Sequence, residues 1–478
     1  MLLKLEAHLR PTDLLSKVEA LIFRNDHDAG IEPGVEDKDD PYGLNRANTK
    51  AVELGEIVAG DKSVLEVNSS RLVSNEAKWL AWSFGRGLAK GCDDPNELWE
   101  YLVGHFAAVP VEGRNASVLR GYLNGLHDRD KKLLSDILNR AVVDERVSAW
   151  YPALQVSFDL GAEDVRRLRQ AVILGKAPAH MYGQLKVGRA TDQIEPEQLK
   201  ALVLEIADLP DGQEIAEGIL SMKIHAEEAS GGTCNPSTIE IGRELLVRVD
   251  FEARSKGSHD DYELGQIIGA CLGGTAGAEI AIGLSQNMVT SMSKRRTYSF
   301  SHPGALGSLL AVQPLQVLDV LLGNAANRKW GKMLIEDSFQ HRSNALNDIP
   351  ENGLLSWCDK EPAVRYVVLA GMIDAFVDAR EGAVANWTSS ARFLLDNAPD
   401  KLSVLREFVS QMAPVFGSRG ELAGAIEDRT QLLDEFLSDP EEEVRAFALE
   451  AKDKLHLRAE QEREWAAADA HSRDERFE

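Results

Sequence analysis

A helical hairpin junction written twice restricts this chain more than any other feature. One copy reads Leu354-Leu355-Ser356-Trp357-Cys358-Asp359-Lys360-Glu361-Pro362-Ala363-Val364-Arg365. The other reads Leu433-Asp434-Glu435-Phe436-Leu437-Ser438-Asp439-Pro440-Glu441-Glu442-Glu443-Val444-Arg445. In both, an apolar helix end runs into an Asp, a short polar turn with a Pro, then Val-Arg and a second apolar helix. Asp396 to Val404 carries a similar turn near the midpoint, so the period is about 40 residues, the length of a HEAT or armadillo unit. Such a unit cannot bury its apolar face alone and must stack on its copies. The spacing therefore predicts an all-α fold, a right-handed α-solenoid of HEAT/armadillo-like helical hairpins.

The junction has a physical reading residue by residue. An Asp in the turn caps the second helix by accepting its first amide hydrogens, and Pro suits that first turn because its missing N–H would have had no partner. Val364 and Val444 begin the buried stripe, while Arg365 and Arg445 extend over the turn toward Asp side chains of an adjacent unit. These are stacking devices and carry no chemistry.

Apolar periodicity places further helices over Leu9–Phe23, three between Asn75 and Leu126, and others at Asp130–Val142, Ala149–Phe158 and Ala162–Leu174. Glu195-Pro196-Glu197 opens one more, and Leu209-Pro210-Asp211-Gly212 closes it and starts a partner running to Ile224. No segment alternates apolar and polar residues as a strand does, so β structure is expected to be minor. The division expected is 1–230 and 231–458, both helical repeats, with an acidic loop at 25–48 and a charged tail helix at 459–478 fraying into solvent. Gly265, Gly269, Gly273 and Gly277 recur every fourth residue. Gly273-Gly274-Thr275 reads as a turn within a hairpin rather than as part of one bare helical stripe.

Composition narrows the function. The net charge of −24, from 53 basic and 77 acidic residues, disfavours broad binding to a phosphate backbone. The four cysteines, Cys92, Cys234, Cys271 and Cys358, stand far apart with no Cys-x-x-Cys pair, so neither zinc nor a disulfide framework is expected and a reducing cytoplasm fits. The amino terminus lacks the zones of a signal peptide. The longest apolar run, Ile267–Leu284, holds Glu279 and several glycines and makes a poor membrane span.

The motifs that would mark an enzyme fail one by one. Gly55-Glu56-Ile57-Val58-Ala59-Gly60-Asp61-Lys62-Ser63 comes near a Walker A loop, but Asp61 would repel the phosphates. Gly331-Lys332-Met333 lacks both the upstream Gly and the hydroxyl. The oxygen-ligand alternation of a calcium loop is missing from the acidic stretch at 25–48. His225-Ala226-Glu227-Glu228 and His259-Asp260-Asp261 are short polar clusters without the further partners a catalytic or metal site needs. No cofactor and no metal are expected.

Several stretches resemble the C-terminal helical-repeat region of very large bacterial proteins, the STAND-type P-loop NTPases and related antiphage defence proteins. The likeness runs through Tyr298-Ser299-Phe300, Leu309-Leu310-Ala311-Val312-Gln313-Pro314, Ser356-Trp357-Cys358-Asp359 with Val364-Arg365-Tyr366, Ser418-Arg419 and Arg473–Glu478. Earlier it takes in Leu9-Arg10-Pro11, Trp82–Leu88, Val118–Leu126, Trp150-Tyr151-Pro152 and Gly188-Arg189-Ala190-Thr191-Asp192. In that family the repeats sense a ligand or partner while an ATPase and an effector domain act. Neither domain is encoded here, so the resemblance implies a stand-alone sensor or scaffold with a separate effector, or the C-terminal part of a split or truncated gene. It brings no catalytic residues.

The function expected is thus non-enzymatic protein recognition, with a protein partner, for example an ATPase or effector encoded nearby. Arg86, Arg120, Trp150, Arg189 and Asp192 are the candidate contact residues, because each is charged or aromatic beside a Gly or Pro turn. The alternatives are nucleic-acid contact or DNA repair through Lys294, Arg295, Arg296, Arg328, Lys329 and Trp330, or a structural assembly subunit.

Overall fold

The computed structural model describes residues 11–24, 40, 44–187, 189–254, 258–339, 344–377, 385–413 and 419–474. Among these the chain is mostly helical, and its only named strands are the two-residue pair Phe376–Val377 and Asn386–Trp387. The all-α expectation is met at that level. The chain divides into two compact units, Met1–Leu245 and Leu246–Glu478.

In the first unit the expected helices form close to where periodicity put them. Helices span Ala81–Gly91, Pro95–Ala108, Ser117–Arg129, Lys131–Ala141 and Ala162–Leu174. Asp61, Asp94 and Asp130 each cap a helix by accepting its early amides. Among the described residues of the Leu9–Phe23 segment, Leu14–Val18 is an α-helix and Glu19–Phe23 widens into a π-turn. Most of the acidic loop at 25–48 lies outside the described residues. Its buried Asp40 accepts from the amides of Asn45 (3.2 Å) and Arg46 (3.0 Å) at the start of helix Leu44–Ala59.

The centre of this unit is a set of helices packed backbone against backbone. A Cβ on Gly87 would sit 1.9 Å from the Val52 carbonyl oxygen, and one on Gly55 would sit 2.2 Å from that of Phe84. The next seam repeats the device, since a Cβ on Gly121 would meet the Trp82 oxygen at 1.9 Å and one on Gly85 the Val118 oxygen at 2.2 Å. Helices Leu44–Ala59, Ala81–Gly91 and Ser117–Arg129 thus touch through bare Cα atoms on both sides. Gly55, the first residue of the rejected Walker-like stretch, is one of these packing residues.

Long hydrogen bonds join segments 35 to 41 residues apart. Ser83 donates to Asn48 (2.6 Å), the Asn115 amide side chain to the Ala77 carbonyl (3.1 Å), Arg129 to the Ala89 carbonyl (2.7 Å) and Lys200 to Glu240 (2.6 Å). The second unit does the same. The Gln313 amide donates to the carbonyls of Leu272 (2.6 Å) and Gly274 (2.5 Å), Asn327 to Gln286 (3.0 Å) and Gln411 to the Ala370 carbonyl (2.9 Å). Gly273 and Gly274 do form the expected turn, with Gly274 at φ +71°.

The duplicated junction behaves as expected in part. Arg365 reaches back to Asp319 of the preceding hairpin at 2.6 Å, where Lys360 also donates, and Trp357 beneath it is fully buried. Arg445 instead donates to the carbonyls of Asp439 (2.7 Å) and Pro440 (3.0 Å) in its own turn. Asp439 accepts from the Glu441 amide at 3.0 Å, just ahead of helix Glu442–Asp474. Asp359 does not cap its second helix. It lies two residues farther from its Pro than Asp439 does, so Glu361 takes the cap position and Asp359 accepts from the Tyr366 hydroxyl at 3.2 Å.

The expected tail boundary at 459 falls inside the single helix Glu442–Asp474. Ala459 and Glu462 are buried, and Arg463 pairs with Glu427 on helix Arg419–Thr430, so the start of this stretch packs, while the residues from 463 to 468 other than Ala466 are exposed. No single described helix is long and apolar enough to cross a membrane. The bent pair Pro303–Val312 and Pro314–Gly323 passes by length and composition, and its leucines other than Leu315, among them Leu306, Leu309, Leu321 and Leu322, are buried in the core.

Candidate functional site

Two of the predicted residues, Arg189 and Asp192, meet at the mouth of a cavity in the first unit. The 3₁₀ segment Ala179–Lys186 ends just before them, and Arg189 takes a left-handed conformation, φ +61°. For a residue with a Cβ that backbone costs roughly 1 kcal/mol and marks a position the surroundings dictate. The turn is closed by the Asp192 amide donating to the Arg189 carbonyl at 3.0 Å. The guanidinium Nε then pairs with Asp192 Oδ2, leaving the Arg side chain 71 % exposed and the Asp 17 %.

The opposite wall is the end of helix Gly212–Ala229 and the loop behind it. Lys223, Ala226, Glu227 and Ser230 face Thr233, Cys234, Asn235 and Pro236 across about 580 Å³. A second cavity of about 250 Å³, lined by Leu185, Lys186, Met222 and His225, adjoins it and shares Arg189, Asp192, Ala226 and Ser230. Volumes of this size suit a small ligand or a few side chains.

Glu227 holds the loop in place. Its two oxygens accept from the Asn235 amide (2.8 Å) and the Thr238 hydroxyl (2.9 Å), and Asn235 in turn accepts from the Ser237 amide (3.0 Å). The carbonyls that end the helix are also occupied, because the amides of Ser230 and Gly231 donate to Ala226, Glu227 and Glu228. Lys223 is held loosely, 3.6 Å from Glu227 Oε1 and 3.5 Å from the Asp192 carbonyl, with its side chain 14 % exposed. Burial, with Glu228 and Glu227 nearby, pushes the Cys234 thiol up, which keeps it protonated and poorly nucleophilic.

The other candidates lie elsewhere. Arg86 lies over the Trp82 ring and pairs with Asp128 at 3.1 Å, tying together two helices of the glycine seam. Arg120 is half-buried on the same seam with no hydrogen bond to its Nε, and burial draws its pKa down. Trp150 packs edge-on against Phe106 with centroids 5.5 Å apart.

The basic clusters of the second unit fall at opposite ends of helix Arg328–Phe339. Ser338 near its end donates to the Ser299 carbonyl (3.1 Å), next to the 294–300 segment, whereas Arg328, Lys329 and Trp330 open it. Arg328 is spent on the Leu322 and Gly323 carbonyls, Lys329 rests over Trp330, and Lys294 pairs with Glu252. Arg295 and Arg296 are exposed, beside the stacked and exposed rings of Tyr298 and Phe300.

Sequence reading missed Lys223. Lys223 and Glu227 stand one helical turn apart just ahead of Ser230-Gly231-Gly232-Thr233, and that pairing of helix face with a glycine-containing loop was the signal available. Among the described residues no group of three or more His, Cys, Asp or Glu side chains is arranged to hold a metal ion. No family model, no curated protein and no solved structure matches this chain.

Proposed function

We propose that this chain is a non-enzymatic helical-repeat scaffold or sensor that recognises a protein partner through the cavity at Arg189 and Asp192. The observation that supports it most is how the cavity is made. Its walls come from successive hairpins, a turn at 189–193 on one side and helix Gly212–Ala229 with its loop on the other. Stacked HEAT-like hairpins of a right-handed solenoid create such recesses between units, and repeat proteins bind through them. The partner we propose is a P-loop ATPase or effector protein, as in the bacterial antiphage defence proteins the sequence resembles, with the chain acting in the cytoplasm.

The test compares tagged wild-type chain with Arg189→Glu, recovered from the native host with and without phage challenge. Loss of a retained ATPase or effector in the variant, with an unchanged melting temperature, supports the reading. An identical set of retained proteins removes the cavity from it.

One observation favours a second reading. The Tyr298 and Phe300 rings stack at 5.4 Å beside exposed Arg295 and Arg296, a combination that suits single-stranded nucleic acid. Salt-dependent binding of a labelled oligonucleotide, lost in Tyr298→Ala, would favour it over protein recognition.

A further inference from the structure

We infer that the cavity beside Arg189 is a carboxylate-binding site, with Lys223 and the Arg189 guanidinium as its two donors. This deepens the reading of the cavity as a recognition site. The inference follows from which polar groups on its walls are already satisfied.

The acceptors are largely used. Both oxygens of Glu227 hold the loop, through the Asn235 amide and the Thr238 hydroxyl. Asp192 Oδ2 is taken by Arg189, and the helix-end carbonyls of Ala226, Glu227 and Glu228 receive the Ser230 and Gly231 amides. What remains is mostly donors. Arg189 uses its Nε and presents both terminal nitrogens from a side chain that is 71 % exposed. Lys223 has three N–H groups on a largely buried ammonium, and its contacts, 3.5 and 3.6 Å, are too long for full charge-assisted bonds. A planar, bidentate acceptor matches a guanidinium fork with an ammonium beside it. The left-handed backbone at Arg189 holds that fork at the mouth, where the two cavities share it. An arriving carboxylate meets the terminal nitrogens of Arg189, with Asp192 still on Nε, and gains Lys223 as well.

The carboxylate can belong to an Asp or Glu side chain of a partner or to a free small acid. Calorimetric titration of the purified full chain separates them with four probes: acetyl-Gly-Asp-Gly-amide, succinate, inorganic phosphate and acetyl-Gly-Lys-Gly-amide. With two charge-assisted contacts a single carboxylate is expected to bind with a dissociation constant on the order of 1 mM. Lys223→Met and Arg189→Glu should each weaken it about tenfold or more, and Asp192→Asn, which frees Arg189, should tighten it several-fold. Melting temperatures of the variants confirm the fold.

Binding of the Asp peptide alone identifies a protein segment as the source, and binding of succinate alone identifies a small acid. In either case the site stands, whereas binding of phosphate with neither carboxylate overturns it. No saturable binding of any anion, binding unchanged in both variants, or preference for the Lys peptide overturns it. Titration uses no host partner, so carboxylate binding without Arg189-dependent capture would leave this site standing while the partner reading fails.

Discussion

Two helix seams, one in each unit, solve the same packing problem with different chemistry. Around Gly55, Gly87 and Gly121 the helices approach so closely that only hydrogen fits between backbones, and the atoms nearest each of these glycines are backbone atoms. The seam between helices Ser258–Cys271 and Pro303–Val312 also uses glycine, with a Cβ on Gly265 only 3.0 Å from the Gly304 oxygen. There, however, the buried Asp261 accepts from the amides of Gly304 (2.6 Å) and Ala305 (3.1 Å). His302 lies beside it, 8 % exposed, with neither ring nitrogen hydrogen-bonded. The first seam is thus held by shape and the second by shape together with buried charge, so the two should fail under different insults.

The largest effect expected is steric. Gly121→Ala would place a methyl carbon 1.9 Å from the Trp82 oxygen, where rigid backbone on both sides cannot yield. Separating the helices opens voids along the seam, so a loss of roughly 3 kcal/mol or more is expected. Urea denaturation followed by circular dichroism measures it. A loss below about 1 kcal/mol would mean that these helices can slide apart cheaply and that the contrast between the seams is wrong.

The second effect is specific to the charged seam. Burial, reinforced by Arg254, pulls the His302 pKa from its ordinary 6.5 to about 4. Asp261 is 3.8 Å away, but its oxygens already serve the Gly304 and Ala305 amides, and it does not offset the burial. The unfolded chain therefore takes up a proton before the folded one as the pH falls. The contribution of neutral His302 is whole above about pH 6.5, declines down to about pH 4, and levels off below that, a total of about 3 kcal/mol. His302→Leu should flatten this limb of the stability curve, as read by thermal melts across that range, while Gly121→Ala should leave its shape unchanged. Equal acid sensitivity in wild type and His302→Leu would place the titrating group elsewhere.

These seams also show what the sequence makes legible. Helix positions followed from periodicity and caps, as at Ala162–Leu174, because those signals are local. The Arg365 to Asp319 link was readable from the junction, although the matching Arg445 donates within its own turn instead. The glycine seams were not, although Gly85, Gly87, Gly91, Gly121 and Gly125 stand in plain view. A glycine in a helix looks the same whether it faces solvent or another backbone, and the regular Gly265–Gly277 series drew attention while half of it proved to be a turn. The cavity was half legible. Arg189 and Asp192 share one turn, whereas Lys223 joins them only through packing of the next hairpin.

The smallest effect sharpens this point, because it asks the same substitution to change sign. Gly104 sits within helix Pro95–Ala108, and a Cβ built there meets nothing within 4 Å. Gly104→Ala gains helix propensity and reduces the freedom of the unfolded chain without touching a neighbour, so it should stabilise the fold by roughly 0.5–1 kcal/mol. Measured by the same denaturation as Gly121→Ala, the two substitutions should move the midpoint in opposite directions. If Gly104→Ala destabilises instead, the open face of that helix is covered by something, and a second copy of the chain is the first candidate to check by light scattering.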